Sequence, residues 1–285
     1  MSTDAMSVRS LAFPWRSCLP AVPGLLIVLV AVVLPCVWLT VLSVLDDGGN
    51  LSPVNYLRLA QEQSYLKVFL TTFVISIETV AACMLIGLPL ATFVASQNDR
   101  LAVIFVGIIL FPLWTSLLVR AYAWLVILQR TGVVNTFLLH VGLIDDPLPL
   151  AFNSFATVLG MTHIMLPVFL LPTIASMRSI DKSLIPAAAS MGASRSDTYF
   201  TIYLPLAMPG IVAGATLVFI MGLGFYVTPA ILGGGNVQVV SMRIARSLST
   251  YSNFGASAAI GVVLLVVTFV LLASSLLVRR AMQKL

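Results

Sequence analysis

The stretch that decides the fold class is VFLTTFVISIETVAACMLIGLPLATFVA, residues 68–95. It contains one charged residue, Glu78, and it exceeds the ~20 apolar residues that a helix needs to cross the hydrocarbon core of a bilayer. The whole chain has the same character, since 60% of its residues are hydrophobic, 9% are charged and the mean hydropathy is +1.07. A soluble globular domain has about 25% charged residues, so this composition excludes that class and, equally, a disordered chain.

Five other stretches are comparably long and apolar, which predicts six transmembrane helices. In chain order the expected spans are Leu19–Leu45, Val68–Ala95, Leu101 to about Leu128, one within Leu148–Met177, Pro209 to about Leu232, and one within Ser247–Val278 that starts near Gly255. The first run is longer than the ~7–15 apolar residues of a cleavable signal peptide. We therefore expect an all-α polytopic membrane protein with a short tail, 1–18, and a single transmembrane domain, 19–285.

The basic residues predict the direction of the chain in the membrane. With the N-terminus in the cytoplasm, nine of the 15 Lys and Arg residues fall on the cytoplasmic side and six on the outer side. Cytoplasmic loops are enriched in Lys and Arg, so we expect both termini in the cytoplasm. The longest cytoplasmic loop is then 176–208, and the three glycines at 233–235 mark a turn at the outer face.

The sequence contains no constellation typical of a catalytic or metal site. Cys18, Cys36 and Cys83 lack metal-ligand spacing, and the two histidines, His140 and His163, stand apart from other ligands. None of the three lysines follows the glycine of a G-x-x-x-x-G-K-[ST] phosphate loop. We expect neither enzyme activity nor a cofactor in this chain. We read the positive net charge as a topology signal, not as a nucleic-acid surface.

The sharpest local pattern is DKSLIPAAASMGASRSDTYFTIYLPLAMP, residues 181–209, in the cytoplasmic loop. Ser183 is expected to cap a short helix, and the three alanines after Pro186 are strong helix formers. Gly192 is expected to be a bend or a point of close contact. Pro205 and Pro209 are expected to delimit the start of the next span, because a residue before proline avoids the helical region.

This loop resembles the E-A-A loop of ABC importer permeases, which reads Glu-Ala-Ala, three residues, Gly, nine residues and Ile-x-Leu-Pro. The residues in register are Ala187, Ala188, Gly192, Ile202, Leu204 and Pro205, and Ala193 and Ser194 continue the loop. The resemblance implies the MetI-like permease fold, in which this short helix docks on a separate ATPase subunit. Pro186 stands at the glutamate position. Proline is tolerated in a first helical turn but offers no acid for a capping box, so we expect the helix to form without it.

Other stretches resemble the spermidine/putrescine permease group. They are Trp114-Thr115, Arg120, Tyr122 and Trp124 in the third span, residues 132–145, Tyr226-Val227-Thr228-Pro229, and Leu232-Gly233-Gly234. The resemblance implies a polyamine importer of the bacterial inner membrane. Its implied partners are two ABC ATP-binding subunits holding ATP and Mg, a second permease subunit, related or identical, and a periplasmic solute-binding protein.

Two charged residues inside the spans have alternative interpretations. Glu78 lies about 16 Å beyond Lys67 along a helix, near the bilayer midplane. It is either a counter-charge for a cationic substrate or a structural partner of Arg120 or of a Ser/Thr hydroxyl group, since an acid at this depth needs water or a partner. Arg120 either reaches the membrane interface or gates the outer cavity.

The aromatic side chains form a second group of candidates for the substrate pathway. They are Trp114, Tyr122, Trp124, Phe225 and Tyr226. They form either a cage that attracts alkylammonium groups or part of the aromatic belt at the interface. The glycines around Tyr226 predict a broken helix, and broken helices line cavities.

His163 and the pair Gly210 and Gly214 have structural interpretations. We expect His163 to make an interhelical hydrogen bond. We expect the two glycines to permit close helix packing, and a second permease subunit is one candidate for the helix they approach.

Three rival functions remain on the sequence alone. The importer could carry another solute, such as an opine, an organic amine or a phosphonate, because a permease sequence reads its solute poorly. An ion-driven secondary transporter predicts an internal inverted repeat, which is not apparent, and leaves the loop pattern unexplained. A structural scaffold would need neither Glu78 nor a glycine-broken span.

Overall fold

The structure is a computed structural model, and it describes residues 22–46, 48–181, 183–251 and 253–282. The expected tail 1–18, Cys18, Asp47 and Lys182 lie outside the described residues. The helices are α1 (Val22–Ser43), α2 (Val54–Gln61), α3 (Gln63–Ser96), α4 (Asp99–Leu110), α5 (Leu117–Leu128), α6 (Val133–His140), α7 (Ser154–Arg178), α8 (Leu184–Ser190), α9 (Arg195–Thr198), α10 (Leu204–Leu223), α11 (Val227–Leu232), α12 (Val240–Tyr251) and α13 (Phe254–Met282). Strand pairing among the described residues amounts to one bridge, Leu45 with Leu51.

Six helical segments are long and apolar enough to cross a membrane. They are Val22–Ser43, Gln63–Ser96, Leu117–His140, Ser154–Arg178, Arg195–Leu223 and Phe254–Ser275. The predicted all-α polytopic fold with six spans is therefore confirmed. The bounds of the first, second, fourth and sixth spans lie within about five residues of those expected from the hydrophobic runs, as is usual for boundaries read from sequence.

The fifth span differs from the expectation at both ends. The helix is continuous from Arg195, through a π-helical turn at Tyr199–Tyr203, into α10. Leu204 has helical dihedrals (φ −65°, ψ −45°) although Pro205 follows it, so the expectation that the prolines delimit this span was wrong. The π turn has already shifted the carbonyls out of the i→i−4 register, which accommodates the missing N–H of the proline.

The predicted break near Tyr226 is confirmed. Helix α10 ends at Leu223, Gly224 is its C-cap, and α11 starts only at Val227.

The third crossing is a broken helix formed by α4 and α5. The carboxylate of Asp99, at the start of α4, pairs with Arg178 at the end of α7. Leu128, at the end of α5, packs with Ala156 near the start of α7. The two helices together thus run antiparallel to α7 along its length, and the break between them, within the expected span from Leu101 to about Leu128, was not predicted from the sequence. Helix α6 extends the apolar stretch to His140 but lies beyond this crossing.

Helix α7 lies at the centre of the bundle, packed against α3 and α10. Its side chains Met161, Met165, Phe169 and Leu170 are fully buried. A helix that is apolar on every side is buried on every side when the bundle forms. We call the end of the bundle where α7 ends, beside loop 179–194, the loop end, and the opposite end the far end.

Helices α7 and α10 touch at two glycines. A Cβ atom built on Gly210 would lie 2.3 Å from Ser176 Cβ and 2.5 Å from Pro172 O, and one built on Gly214 would lie 2.6 Å from Phe169 O. Only glycine allows the backbones to approach so closely. The predicted close packing is confirmed, and the helix that the glycines approach is α7 of this chain, not that of the other candidate, a second permease subunit.

The far end is held by a buried polar side chain and by turns. Asn135 donates hydrogen bonds to Gln129 O (3.2 Å) and Leu148 O (3.0 Å) and accepts one from Leu148 N (2.8 Å). Gly234 and Gly235 have φ values of 55° and 85°, which confirms the predicted turn. These contacts close the far-end loops without any regular strand in the described residues.

Candidate functional site

The loop 179–194 carries the short helix α8, and an aspartate caps its start. Asp181 Oδ1 accepts a hydrogen bond from Ser183 N at 2.9 Å. The Ser183 side chain makes no capping bond, so the predicted Ser183 cap was wrong. Ser183 itself has helical dihedrals (φ −71°, ψ −22°), whereas a capping side chain normally extends from a β-region residue. The bond from Ser183 lowers the pKa of Asp181 below its ordinary value.

Helix α8 forms although Pro186 replaces the acid of the family pattern. Pro186 is the third residue of the helix. The first four N–H groups of a helix have no acceptor within it, so the missing N–H of proline removes no helical bond. The first helical bond runs from Ala187 N to Ser183 O at 3.1 Å. The expectation that the helix survives the proline is confirmed.

Gly192 ends α8 through its backbone conformation. Its φ is +86°, in the left-handed region that favours glycine. Ala193 N donates to Ala188 O (3.1 Å) and Gly192 N donates to Ala189 O (3.0 Å), which together form a Schellman motif. No atom of the described chain lies within 4 Å of a Cβ built on Gly192. The glycine therefore sets the turn, and the space beside it is open.

Helix α8 presents apolar side chains to its surroundings. Ala188 is its one buried residue, while Leu184 and Ile185 are exposed. Met191, directly after the helix, is 88% exposed. Contiguous apolar side chains on a loop outside the spans mark a surface for another protein.

The chain re-enters the bundle through α9. Ser194 Oγ accepts a hydrogen bond from Asp197 N (3.1 Å) and donates one to the Asp197 carboxylate (2.6 Å), so Ser194 caps this helix. Leu204 packs against the main core of the bundle, while Ile202 is half-buried and Pro205 is exposed. The second half of the family pattern therefore lies where the loop helix joins the bundle.

A groove of about 600 Å³ separates α8 from the spans. Ile185, Pro186 and Ala189 line it on the loop side. Thr92 and Tyr199 line it on the bundle side, with their hydroxyl oxygens 3.3 Å apart. Helix α8 is thus joined to the bundle mainly through its two ends and contributes no residue to the described hydrophobic core clusters.

Glu78 lies at mid-length of α3 with an exposed side chain. Its carboxylate has no hydrogen bond or ion pair with any residue that the structure describes. The structural interpretation named Arg120 or a hydroxyl group as its partner, and neither pairs with it. Glu78 lacks a partner in the described chain because it lies on the exposed face of α3, whereas the buried residues Thr72, Thr79 and Cys83 lie on another face, which packs in the bundle.

Arg120 on α5 and His163 on α7 both lie in the wall that these two helices form. Trp124 Nε1 donates to His163 Nδ1 at 3.2 Å, which confirms the predicted interhelical hydrogen bond of His163. Arg120, one turn before Trp124 on α5, has its Nε and Nη1 atoms buried without a hydrogen-bond partner among the described residues. Both interpretations of Arg120 stay predictions.

The aromatic candidates occupy separate places in the chain. Trp114 is 87% exposed, next to Thr115, whose hydroxyl group donates to Pro112 O (2.7 Å). Tyr122 is exposed on α5, and Trp124 packs in the small cluster at the far end.

Phe225 packs against the main core, and Tyr226 lines a cavity of about 280 Å³ together with Arg243 and Arg246. Within the described part of the chain, no ring contact joins any two of the five aromatic candidates. The cage for alkylammonium groups therefore stays a prediction.

Sequence reasoning missed the polar helix α12 at the far end. The guanidinium carbon of Arg243 lies 4.7 Å from the centre of the Tyr65 ring, a cation–π contact that fixes α12 on α3. Arg246 lies one turn later and lines the cavity beside Tyr226. The signal was the spacing of the two arginines by three residues, which places them on one helical face.

Residues 87–284 match the family described as the binding-protein-dependent transport system inner membrane component. The chain belongs to this family. The segment contains loop 179–194 and the third and fifth spans. The spermidine/putrescine transport system permease protein PotB of Escherichia coli (strain K12) is 30% identical to the chain over 226 residues, which cover 78% of this chain and 82% of PotB.

Two solved structures show the same fold. One is a bacterial ABC transporter involved in the import of the acidic polysaccharide alginate, with a TM-score of 0.74, 17% identity and coverage of 94% of this chain and 96% of that chain. The other is the bacterial alginate ABC transporter in complex with an alginate pentasaccharide-bound periplasmic protein, with a TM-score of 0.73, 17% identity and coverage of 92% of both chains. The permease fold of the chain is thereby confirmed.

Proposed function

We propose that this chain is the permease subunit of an ATP-driven, binding-protein-dependent importer of polyamines. The observation that carries the proposal is the exposed helix α8, held at its ends beside an open groove, in a member of a binding-protein-dependent permease family. A helix with so few contacts to its own chain and several exposed apolar side chains is suited to a protein partner. The likeness to PotB, a spermidine/putrescine permease, supports polyamines as the solute.

The partner at the loop end is the ABC ATP-binding subunit, present in two copies. Loop 179–194 and both chain termini lie in the cytoplasm, where that subunit binds ATP and Mg. The permease itself holds no nucleotide, since its sequence lacks a phosphate-binding loop. A second permease subunit completes the pore. A periplasmic solute-binding protein delivers the solute at the far end, as the complex of the alginate transporter with a periplasmic protein illustrates.

The mechanism follows from how α8 is connected. Closure of the ATPase subunits on ATP displaces α8 across the groove. The displacement passes through α9 and the π turn into α10, which is packed on α7 at Gly210 and Gly214. Helices α7 and α10 therefore move as a pair, and the bundle alternates between inward-open and outward-open states. Trp114, Thr115, Arg120, Tyr122, Trp124, Phe225 and Tyr226 remain candidate residues of the solute pathway.

The test is uptake by the reconstituted transporter. The chain would be purified with its ATPase, its second permease subunit and its binding protein, and placed in liposomes with ATP inside. We expect accumulation of labelled spermidine or putrescine that requires both ATP and the binding protein. Uptake that persists without ATP would contradict the ATP-driven mechanism, and transport of an unrelated solute in place of any polyamine would contradict the substrate.

A pair of variants tests the role of α8. Met191→Ser removes an exposed apolar side chain at the loop end, and Val141→Ser removes one of similar kind at the far end. We expect Met191→Ser to weaken binding of the ATPase subunit and Val141→Ser to leave it unchanged. Equal binding by both variants would show that this part of the loop does not contact the ATPase.

A further inference from the structure

One acidic side chain lies on the outside of the bundle at mid-depth. Helix α3 has 34 residues, and Glu78 lies about 22 Å from its first residue and about 27 Å from its last, at 1.5 Å per residue. Val74, Ala81 and Leu85 lie on the same face, at helical spacings from Glu78, and all three are exposed. We call these four residues the Glu78 face. Glu78 also precedes residues 87–284, the segment that matches the family.

The carboxylate has no partner in the described part of the chain. The nearby hydroxyl groups on α3 are already engaged, because Thr72, Ser76 and Thr79 donate to Val68 O, Thr72 O and Ile75 O at 2.8, 2.7 and 2.7 Å. The ion pair that the structure does contain among its described residues joins Asp99 to Arg178 at the loop end. Charge compensation for Glu78 must therefore come from outside these residues.

Lipid is a poor neighbour for the Glu78 face. A charged side chain at the centre of a bilayer is costly, and such residues face a water-filled cavity or pair with another group. The apolar side chains beside Glu78 do not cover its carboxylate, since Leu85 is 78% exposed and Val74 is 48% exposed. The face must border either a hydrated passage or a protein surface in the assembled transporter.

We propose that Glu78 binds a protonated amine of the solute at the midpoint of the translocation pathway. The inference rests on the proposed polyamine importer. A polyamine is a series of ammonium groups separated by methylene segments. The Glu78 face offers the complementary pattern. Its single carboxylate is flanked by apolar side chains, with Val74 one helical turn before it, and Ala81 and Leu85 one and two turns after it. A charged hydrogen bond there stabilises the cation, and Val74, Ala81 and Leu85 contact its methylene groups.

The test uses the complete transporter in liposomes with three variants of this chain. Glu78→Gln removes the charge and keeps the shape, Glu78→Asp keeps the charge, and Val103→Thr, an exposed position on α4 outside the Glu78 face, is the control. The measurements are kcat/KM for spermidine and putrescine uptake, ATPase stimulation by the loaded binding protein, and co-purification of all subunits. We expect Glu78→Gln to lower kcat/KM for both amines by about tenfold to a hundredfold, the range of a lost charged hydrogen bond.

The variants separate this proposal from its alternatives. We expect Glu78→Asp to restore most of the uptake, Val103→Thr to behave as the unaltered chain, and all variants to assemble. Uptake by Glu78→Gln equal to that of an unaltered transporter that does import amines would overturn the role of Glu78 alone. Failure of Glu78→Gln to co-purify with the second permease subunit would instead assign the carboxylate to a subunit contact. An unaltered transporter that imports no amine would overturn the proposed function itself.

Accessibility provides a second readout that does not depend on transport. Glu78→Cys, in a chain whose other cysteines are replaced, should react with a water-soluble, membrane-impermeant thiol reagent when the passage is open to that side. Val103→Cys, exposed on α4, is the control and should be unreactive. A Glu78→Cys variant that reacts no faster than Val103→Cys would place the Glu78 face in lipid or protein and overturn the proposal.

Discussion

Replacing Gly210 with alanine is expected to destabilise the bundle by forcing α10 away from α7. The new Cβ would lie 2.3 Å from Ser176 Cβ and 2.5 Å from Pro172 O. Non-bonded carbon atoms attract each other best at about 3.5–4.0 Å, so the helices must separate locally by roughly 1 Å or more. Pro172 O belongs to the backbone and cannot rotate away. Overpacking of this kind costs about 1–3 kcal/mol.

A smaller effect of opposite sign accompanies the substitution. Alanine is favoured over glycine in a helix interior by roughly 0.5–1 kcal/mol. The net loss expected for Gly210→Ala is therefore about 1–2 kcal/mol. Gly107 in α4 and Gly261 in α13 provide the controls, because no atom lies within 4 Å of a Cβ built on either. Gly107→Ala and Gly261→Ala should be neutral or slightly stabilising.

Unfolding of the purified chain in detergent measures the difference. Each variant would be titrated with a denaturing detergent and followed by tryptophan fluorescence, and the free energy of unfolding compared with that of the unaltered chain. We expect Gly210→Ala to unfold at a lower denaturant fraction than both controls. If Gly210→Ala is as stable as Gly107→Ala, α7 and α10 do not touch at Gly210, and the paired movement proposed for them loses this support.

Three further predictions concern single residues. Gly192→Val should abolish most of the ATPase stimulation by the loaded binding protein. Gly192→Asn should retain more of this stimulation, because asparagine adopts the left-handed conformation more readily, and equal losses in the two variants would contradict a backbone role for Gly192. Asn135→Ala should cost about 1–3 kcal/mol by leaving buried backbone groups unpaired, detected as faster proteolysis of residues 141–153, and an unchanged rate would argue against these bonds. The pKa of Asp181 is lowered in the folded chain, so its cap on α8 should be fully present above the ordinary aspartate pKa of about 3.9 and be lost as the pH falls through the lowered value. Hydrogen exchange of the Ser183 amide measures this, and protection that stays constant down to that pH would contradict it.

The number of spans and most of their positions could be predicted from the sequence because lipid imposes one strong rule. Each helix must be long and apolar enough to cross, and hydrophobic runs report this directly. The same rule could not place the start of the fifth span. Whether a helix continues through Pro205 depends on a π turn at Tyr199–Tyr203, and the local preference of a residue before proline points the other way.

The loop helix could be predicted in outline, while its details depended on backbone geometry. The alanines and Gly192 indicated a short helix followed by a bend or a point of close contact. Whether Ser183 or Asp181 provides the cap depends on dihedral angles two residues apart, which composition does not encode. Likewise, a small-residue pattern predicts that Gly210 and Gly214 approach some helix. It cannot say which helix, because that depends on the packing of the whole bundle.

Because the helix from Arg195 to Leu223 is continuous, a small rotation at one end displaces the other end by a larger distance. Its 29 residues extend about 43 Å at 1.5 Å each. A rotation of only about 5° around its loop end would displace its far end, just before Tyr226, sideways by roughly 4 Å, which is comparable to the width of an alkyl chain. A small displacement at the loop end would thus be amplified into a larger one at the far end.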